Sequence, residues 1–175
     1  LSGYSLHFQF VVTAGSSYMP TIGGMNESDF FGNIHARKAF AYAINFTQLI
    51  EEAWNGEAEQ PATWHIRGLA PDYRDPSIVK YDIDLDMVRY HLQNANFSEG
   101  QPLWETGFHT YLAYNIGNNQ RRIACEMIKS VIESLNLERP GKPVFNITVV
   151  GLPSYSDYLD EIEAGNLPCW QLGWL

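Results

Sequence analysis

The sequence predicts an α/β fold in which a mixed sheet is flanked by helices. Two observations carry this. From Phe108 onward, short aliphatic and aromatic runs alternate with helical periodicity in the order strand, helix, strand, helix, strand. Parallel strands need crossovers of this kind, and the crossovers are usually helices. The first half adds two consecutive segments of helical period behind one strand. Neither an internal repeat nor a low-complexity stretch interrupts the 175 residues. That length suits one ordinary domain and buries roughly 70% of its unfolded surface without a metal or disulfide staple.

Tyr4 to Thr13 is β-branched and aromatic and predicts a strand. Residues 14–29 concentrate Gly, Ser, Pro and Asn and predict a loop. From about Gly32, Ile34, Ala36, Ala39, Phe40, Ala43 and Ile44 share one broad apolar face. Asn45 interrupts that helix and caps a second, Phe46 to Trp54, with Gly56 where a left-handed C-terminal residue belongs. Residues 57–82 carry prolines and aromatics with no period, and long irregular stretches of this kind are usually functional or packed by their own side chains. Asp84 caps a helix from Leu85 to Ala95. Phe108 to Tyr114 is a strand, and Asn118 or Asn119 starts a long helix to about Leu135, its inner face Ile123, Met127, Ile128, Val131 and Leu135. A turn over Pro140 to Pro143 leads into a strand from Val144 to Val150. Ser154 or Ser156 caps a helix from Tyr158 to Ala164 that Gly165 stops, and Cys169 to Leu175 is a last strand.

Composition excludes several functions. Eleven basic residues against 20 acidic ones give a net charge of −9, so the basic stripe of a nucleic-acid binder is missing. An anionic membrane surface is an equally poor partner, and no apolar run approaches the roughly 18 residues that span a bilayer. The chain carries no G-x-S-x-G, P-loop, G-x-G-x-x-G or H-E-x-x-H, and its Ser and Thr residues have no adjacent base, so nothing requires an enzyme. The five histidines, at 7, 35, 65, 91 and 109, hold no helical metal-ligand spacing and are expected at the surface or half-buried, with no metal and no cofactor. Asp157, Asp160, Glu161 and Glu163 fall on one short helix and read as a solvated face, not as a catalytic pair across a cleft. Cys125 and Cys169 leave two readings open, a disulfide or two buried thiols, and the second is the expectation taken. N-x-[ST] sequences occur at Asn26, Asn45, Asn96 and Asn146.

Aromatics make up 14% of the chain, enough to line a site as well as a core. The turn Tyr114, Asn115, Gly117, Asn118, Asn119 follows a strand and opens a helix. Open α/β sheets bind ligands at the carboxyl ends of their strands, and a helix N-terminus adds free N–H groups there. The end of the last strand, Gln171 to Trp174, occupies the same topological position.

These residues resemble a family. Asn33-Ile34-His35-Ala36-Arg37-Lys38-Ala39-Phe40-Ala41-Tyr42-Ala43-Ile44-Asn45 is similar to the D-V-R-V-R-x-A-x-x-Y-A-I-D signature of the family 5 extracellular solute-binding proteins, the dipeptide and oligopeptide receptors of ABC importers. In order along the chain, Trp54-Asn55-Gly56 with Pro61-Ala62 resembles V-x-x-G-x-x-x-P-A, Tyr81-Asp82 to Phe97 resembles Y-D-x-x-x-A-x-x-L-L-x-E-A-G-Y, and Asn119 to Leu137 resembles the N-x-x-R-x-x-A-x-x-I helix. Tyr155 to Gly165 and Gln171-Leu172-Gly173-Trp174 resemble the W-x-x-Y helix and the strand ending in G-W. Asn replaces Asp at 33 and 45, a change that keeps the capping chemistry. His65-Ile66-Arg67-Gly68 stands where an I-P-P loop is common.

The resemblance implies a periplasmic-binding-protein-like (type II) lobe, with residues 1–175 forming most of the second lobe of a two-lobe receptor whose other segments lie outside this sequence. It implies an extracytoplasmic location, periplasmic or anchored at the cell surface, peptide as ligand and a membrane permease as partner. Oligosaccharide, a nickel or haem chelate, and a protein-interaction role are the alternatives. In this lobe it points to Tyr114 and Asn115 at one strand end, Gln171 and Trp174 at another, and His65 with Trp64 in the irregular stretch.

Overall fold

The computed structural model describes residues 3–60, 80–97 and 100–174. Its elements are β1 (Gly3–Phe8), β2 (Thr21–Ile22), β3 (Met25–Asn26), α1 (Ile34–Ala41), α2 (Phe46–Trp54), α3 (Leu85–Asn94), α4 (Leu103–Thr106), β4 (Phe108–Asn115), α5 (Asn119–Ser134), β5 (Phe145–Leu152), α6 (Tyr155–Glu163) and β6 (Cys169–Trp174). Short 3-10 turns at Phe30–Gly32 and Leu135–Glu138 lead into α1 and follow α5.

Side-chain caps fix most of the helix starts. Asn33, Asn45, Asp84, Asn118 and Ser154 each turn an oxygen onto a free amide of the first turn, opening α1, α2, α3, α5 and α6. Ser154 begins its helix at Tyr155, three residues before the Tyr158 start read from the sequence. Helix α2 ends with Asn55 in the left-handed conformation at φ 51° and Gly56 beyond it at φ 78°.

The first strand is shorter than its composition suggests. It stops at Phe8, and the amides of Gln9, Val12 and Thr13 donate instead to the carbonyls of Pro168, Ser28 and Gly165. The loop over residues 14–29 contains a two-residue hairpin, β2 to β3, turned by Gly23 and Gly24 at φ 57° and 83°. Adjacent positive φ values are what a tight hairpin turn demands.

Strand β4 is the centre of the mixed sheet. On one edge β5 pairs with it in parallel over its whole length, from Phe108↔Phe145 to Asn115↔Leu152. On the other edge β2 meets its start antiparallel, at Thr21↔His109, and β6 meets its end in parallel, at Ala113↔Trp170. Strand β1 then pairs antiparallel with β6. Alternation sorts the side chains between two layers. Phe108, Leu112, Phe145 and Ile147 join α1, α2, α3 and α5 in the larger core, with Phe30, Phe31 and Phe40 fully buried there. Ala113, Leu152 and Trp170 pack on the opposite face with Tyr158 of α6 and Leu167. Helices α5 and α6 therefore cover opposite faces. Cys125 and Cys169 are both buried free thiols, and burial pushes both up, Cys125 to about 12.

Candidate ligand-binding crevice

Helix α5 leaves β4 toward one face of the sheet, and α6 leaves β5 toward the other. Adjacent parallel strands whose connections diverge in this way open a crevice at their carboxyl ends. The ends of β4 and β5 meet there as Tyr114↔Gly151 and Asn115↔Leu152, and the Ile116 amide extends the ladder by donating to the Leu152 carbonyl at 2.8 Å. Gly117, at φ 94°, then turns the chain so that Asn118 can cap α5.

The cap aims Arg121 back at the strand end. Its amide is held by Asn118 Oδ1 at 3.0 Å, and its Nη1 donates to Asn115 Oδ1 at 2.7 Å. The guanidinium carbon lies 5.4 to 5.9 Å from the ring centroids of Tyr158, Tyr155 and Tyr4. Attraction between a cation and these π-faces contributes about 0.5–2 kcal/mol per ring. Yet Arg121 is 5% exposed, its Nε reaches no partner, and none of the ion pairs among the described residues includes it. A buried cation without an acid favours an anion brought from outside. Two of these rings are exposed, Tyr4 at 39% and Tyr155 at 47%, and Ile116 just past the end of β4 is 57% exposed.

The Tyr158 hydroxyl ties β4 to β6. It accepts from the Gln171 amide at 2.9 Å and donates to the Gln171 carbonyl at 2.7 Å, with the Ala113 carbonyl 3.2 Å away. It stands in for ladder bonds at the place where β4 and β6 share one pairing. Burial first of all pushes this phenol above its ordinary range, so it stays protonated.

The residues singled out from the sequence fall in different places. Tyr114 is half-buried, with its ring laid over Gly151, and Asn115 orients Arg121. The Gln171 side chain turns into the interior, where Nε2 donates to Cys125 Sγ at 3.7 Å. Trp174 ends β6 opposite Gly3, and its side chain lies outside the described residues, as do Trp64 and His65. Asp157 takes a capping role, accepting from Ser154 Oγ at 2.7 Å.

Sequence reasoning passed over Arg121, Tyr4 and Tyr155 as a set. The available signal was an arginine three residues after a helix-capping Asn, one turn into the helix that leaves the strand end. It also missed that α1 and α3 bring His35 and His91 together, Nδ1 to Nδ1 at 2.8 Å, a contact that leaves His91 buried and not at the surface or half-buried as expected. Among the described residues no group of three or more His, Cys, Asp or Glu side chains is placed to hold a metal ion.

Solved structures share this architecture. OppA from Listeria monocytogenes, bound to peptide, aligns with 99% of the chain at TM-score 0.68 and 13% identity. AppA from Bacillus subtilis, in complex with a nonapeptide, aligns with 99% at TM-score 0.63 and 13% identity. NikA from Brucella suis, in complex with Fe(III)-EDTA, aligns with 98% at TM-score 0.59 and 12% identity. At such identities the likeness establishes the fold. The chain spans 30%, 32% and 32% of the lengths of these three proteins. No curated protein matches it in sequence. The model of the bacterial extracellular solute-binding proteins, family 5 (Middle), matches residues 5–175, and the chain belongs to that family of substrate-binding proteins, which are not enzymes.

Proposed function

We propose that this chain forms most of the second lobe of a receptor that captures extracytoplasmic peptides and delivers them to an ABC permease. The observation that carries the peptide reading is Arg121, a buried positive charge with no acid partner among the described residues, set beside the exposed rings of Tyr4 and Tyr155 near the exposed Ile116. A peptide matches both features. Its terminal carboxylate complements the guanidinium, its side chains complement these exposed groups, and its backbone can be gripped in strand-like fashion whatever the sequence. Tyr114 and Asn115 stand at the same strand end, where Tyr114 offers a ring and a hydroxyl. Trp174 and His65 keep the ligand-facing roles that the family resemblance implies for them.

Capture is a population shift. A ligand that touches both lobes only when they are closed favours closure by its differential contacts. One lobe supplies part of those contacts, so the isolated 175-residue chain binds peptide weakly or not at all.

The test uses the full-length protein that carries this sequence. Purified and denatured, it releases the ligand it holds to mass spectrometry. A ladder of short peptides is the expected result. A saccharide or a metal chelate as the principal released species overturns the peptide reading while leaving family membership intact.

A further inference from the structure

Strand β5 runs Ile147-Thr148-Val149-Val150 and then breaks its β-branched sequence with Gly151. Glycine inside a strand costs stability and marks a bulge or a close approach. The backbone does not require it here, because Gly151 is not among the glycines with positive φ. Space does. A Cβ at position 151 would stand 2.9 Å from Tyr114 Oη, 3.0 Å from Tyr114 Cζ and 2.9 Å from Ile116 Cγ1. Atoms do not approach a real Cβ this closely, so one of those side chains would have to move. Both belong to the crevice. Tyr114 is the register partner of Gly151, and Ile116 is exposed just past the end of β4.

Gly107 is an instructive contrast. Its φ is 62°, and an added Cβ would strike the carbonyl oxygens of Pro143 and Val144 at 2.6 Å. That glycine serves the backbone. At Gly151 the three nearest atoms all belong to side chains, those of Tyr114 at the carboxyl end of β4 and Ile116 just beyond it.

We propose that Gly151 is a positioning residue for ligand binding: the missing Cβ lets Tyr114 lie flat across the β4–β5 edge and so keeps the crevice between the diverging connections deep enough for a peptide main chain. This rests on the peptide-receptor reading. In the Gly151→Ala protein the added methyl lifts the Tyr114 ring off β5 and into the space the ligand would occupy.

The test is a four-member cycle in the full-length protein: wild type, Gly151→Ala, Tyr114→Ala and the double variant. Each is titrated calorimetrically with a pool of free-carboxyl di- to hexapeptides, and its melting temperature is recorded. Crystal structures of the first two supply the ring position. The expected result has four parts: Tyr114 Oη displaced by about 1 Å or more, affinity lower by about ten-fold, a melting temperature near wild type, and no further loss when Gly151→Ala is added to Tyr114→Ala. The Tyr114→Ala background removes two of the three close contacts and leaves only the Ile116 side chain to shift, so the cycle is readable even if Gly151→Ala alone folds poorly. An unmoved Tyr114, or losses that simply add, overturn the proposal. Full affinity for the pool with a displaced Tyr114 also overturns it. A wild type that takes no peptide overturns the receptor reading, and the ligand half of the proposal with it, whatever Tyr114 does.

Discussion

Two buried arginines sit at opposite ends of the sheet. Arg139 is 3% exposed, near the amino ends of β4 and β5, and Arg121 is 5% exposed at their carboxyl ends. The first is saturated. Its Nε donates to the Trp104 carbonyl at 3.0 Å, its Nη2 also reaches Trp104, its Nη1 reaches the Pro143 carbonyl, and its guanidinium carbon lies 3.9 Å from the Phe145 centroid. The second has its hydrogen bond to Asn115, three tyrosine rings and an Nε with no partner among the described residues. Neither joins an ion pair among the described residues, yet carbonyl oxygens fill one guanidinium, which closes a loop, while the other keeps an Nε with no acceptor there. Saturation, not burial, separates a structural cation from one that can serve a ligand.

The largest effect expected from this contrast is on stability. Arg139→Met leaves the carbonyls of Trp104 and Pro143 without their donor in a buried site, a cost of about 3 kcal/mol. Thermal or urea unfolding checks it, and peptide affinity in the full-length protein stays near wild type. Arg121→Met should reverse that signature. It gives up the three tyrosine contacts and the bond to the Asn115 side-chain oxygen, but it also ends the burial of a charge whose Nε has no acceptor among the described residues; these terms offset, so unfolding shifts by less than in Arg139→Met, while peptide affinity falls about ten- to a hundred-fold. Equal losses of stability in the two variants would break the comparison.

Tyr158→Phe is expected to cost about 1–3 kcal/mol, because it removes the buried hydroxyl that accepts from the Gln171 amide and donates to the Gln171 carbonyl. Hydrogen exchange should speed up at Gln171 more than in the β4–β5 ladder. Uniform protection across both would contradict the role given to the hydroxyl.

The smallest expected effect is a pH dependence. Burial, then His35, then Lys38 hold His91 below its ordinary value of 6.5. The unfolded chain then binds more protons just below pH 6.5, so this contribution to stability is present above 6.5 and is lost as pH falls toward the lower folded value. Glu27 acts in the opposite sense. Burial and Asp29 push it up to about 7, so its contribution is lost as pH rises from 4.5 to about 7. The His91 part is therefore read as the difference in melting temperature between the protein and His91→Phe at pH 5 and pH 7.5. That difference should shrink or reverse at the lower pH.

What the sequence reveals here is local chemistry. Asn45, Asp84, Asn118 and Ser154 could be read as caps because each bonds the amide three residues on. The strand, helix, strand, helix, strand order of the second half is legible for the same reason. The end of β1 was not, because Val11 and Thr13 have strand composition, yet their neighbourhood bonds to loops more than 15 and 150 residues on. The β2–β3 hairpin is too short to show a period. At the crevice, Tyr114 and Asn115 were legible as a strand end opening a helix. Arg121 was not, because its environment is assembled from Tyr4, Asn115, Tyr155 and Tyr158, which the chain brings together only on folding. Gln171 alternates correctly for either face of β6, and its inward turn toward Cys125 is a fact of packing.

The most direct measurement is a calorimetric titration of the full-length protein with one pentapeptide in two forms, free C-terminal carboxylate and C-terminal amide. If Arg121 receives the carboxylate, the amide binds at least ten-fold more weakly, about 1.4 kcal/mol, and Arg121→Met abolishes the difference. Equal affinity for the two forms, or a preference that survives in Arg121→Met, would contradict the account.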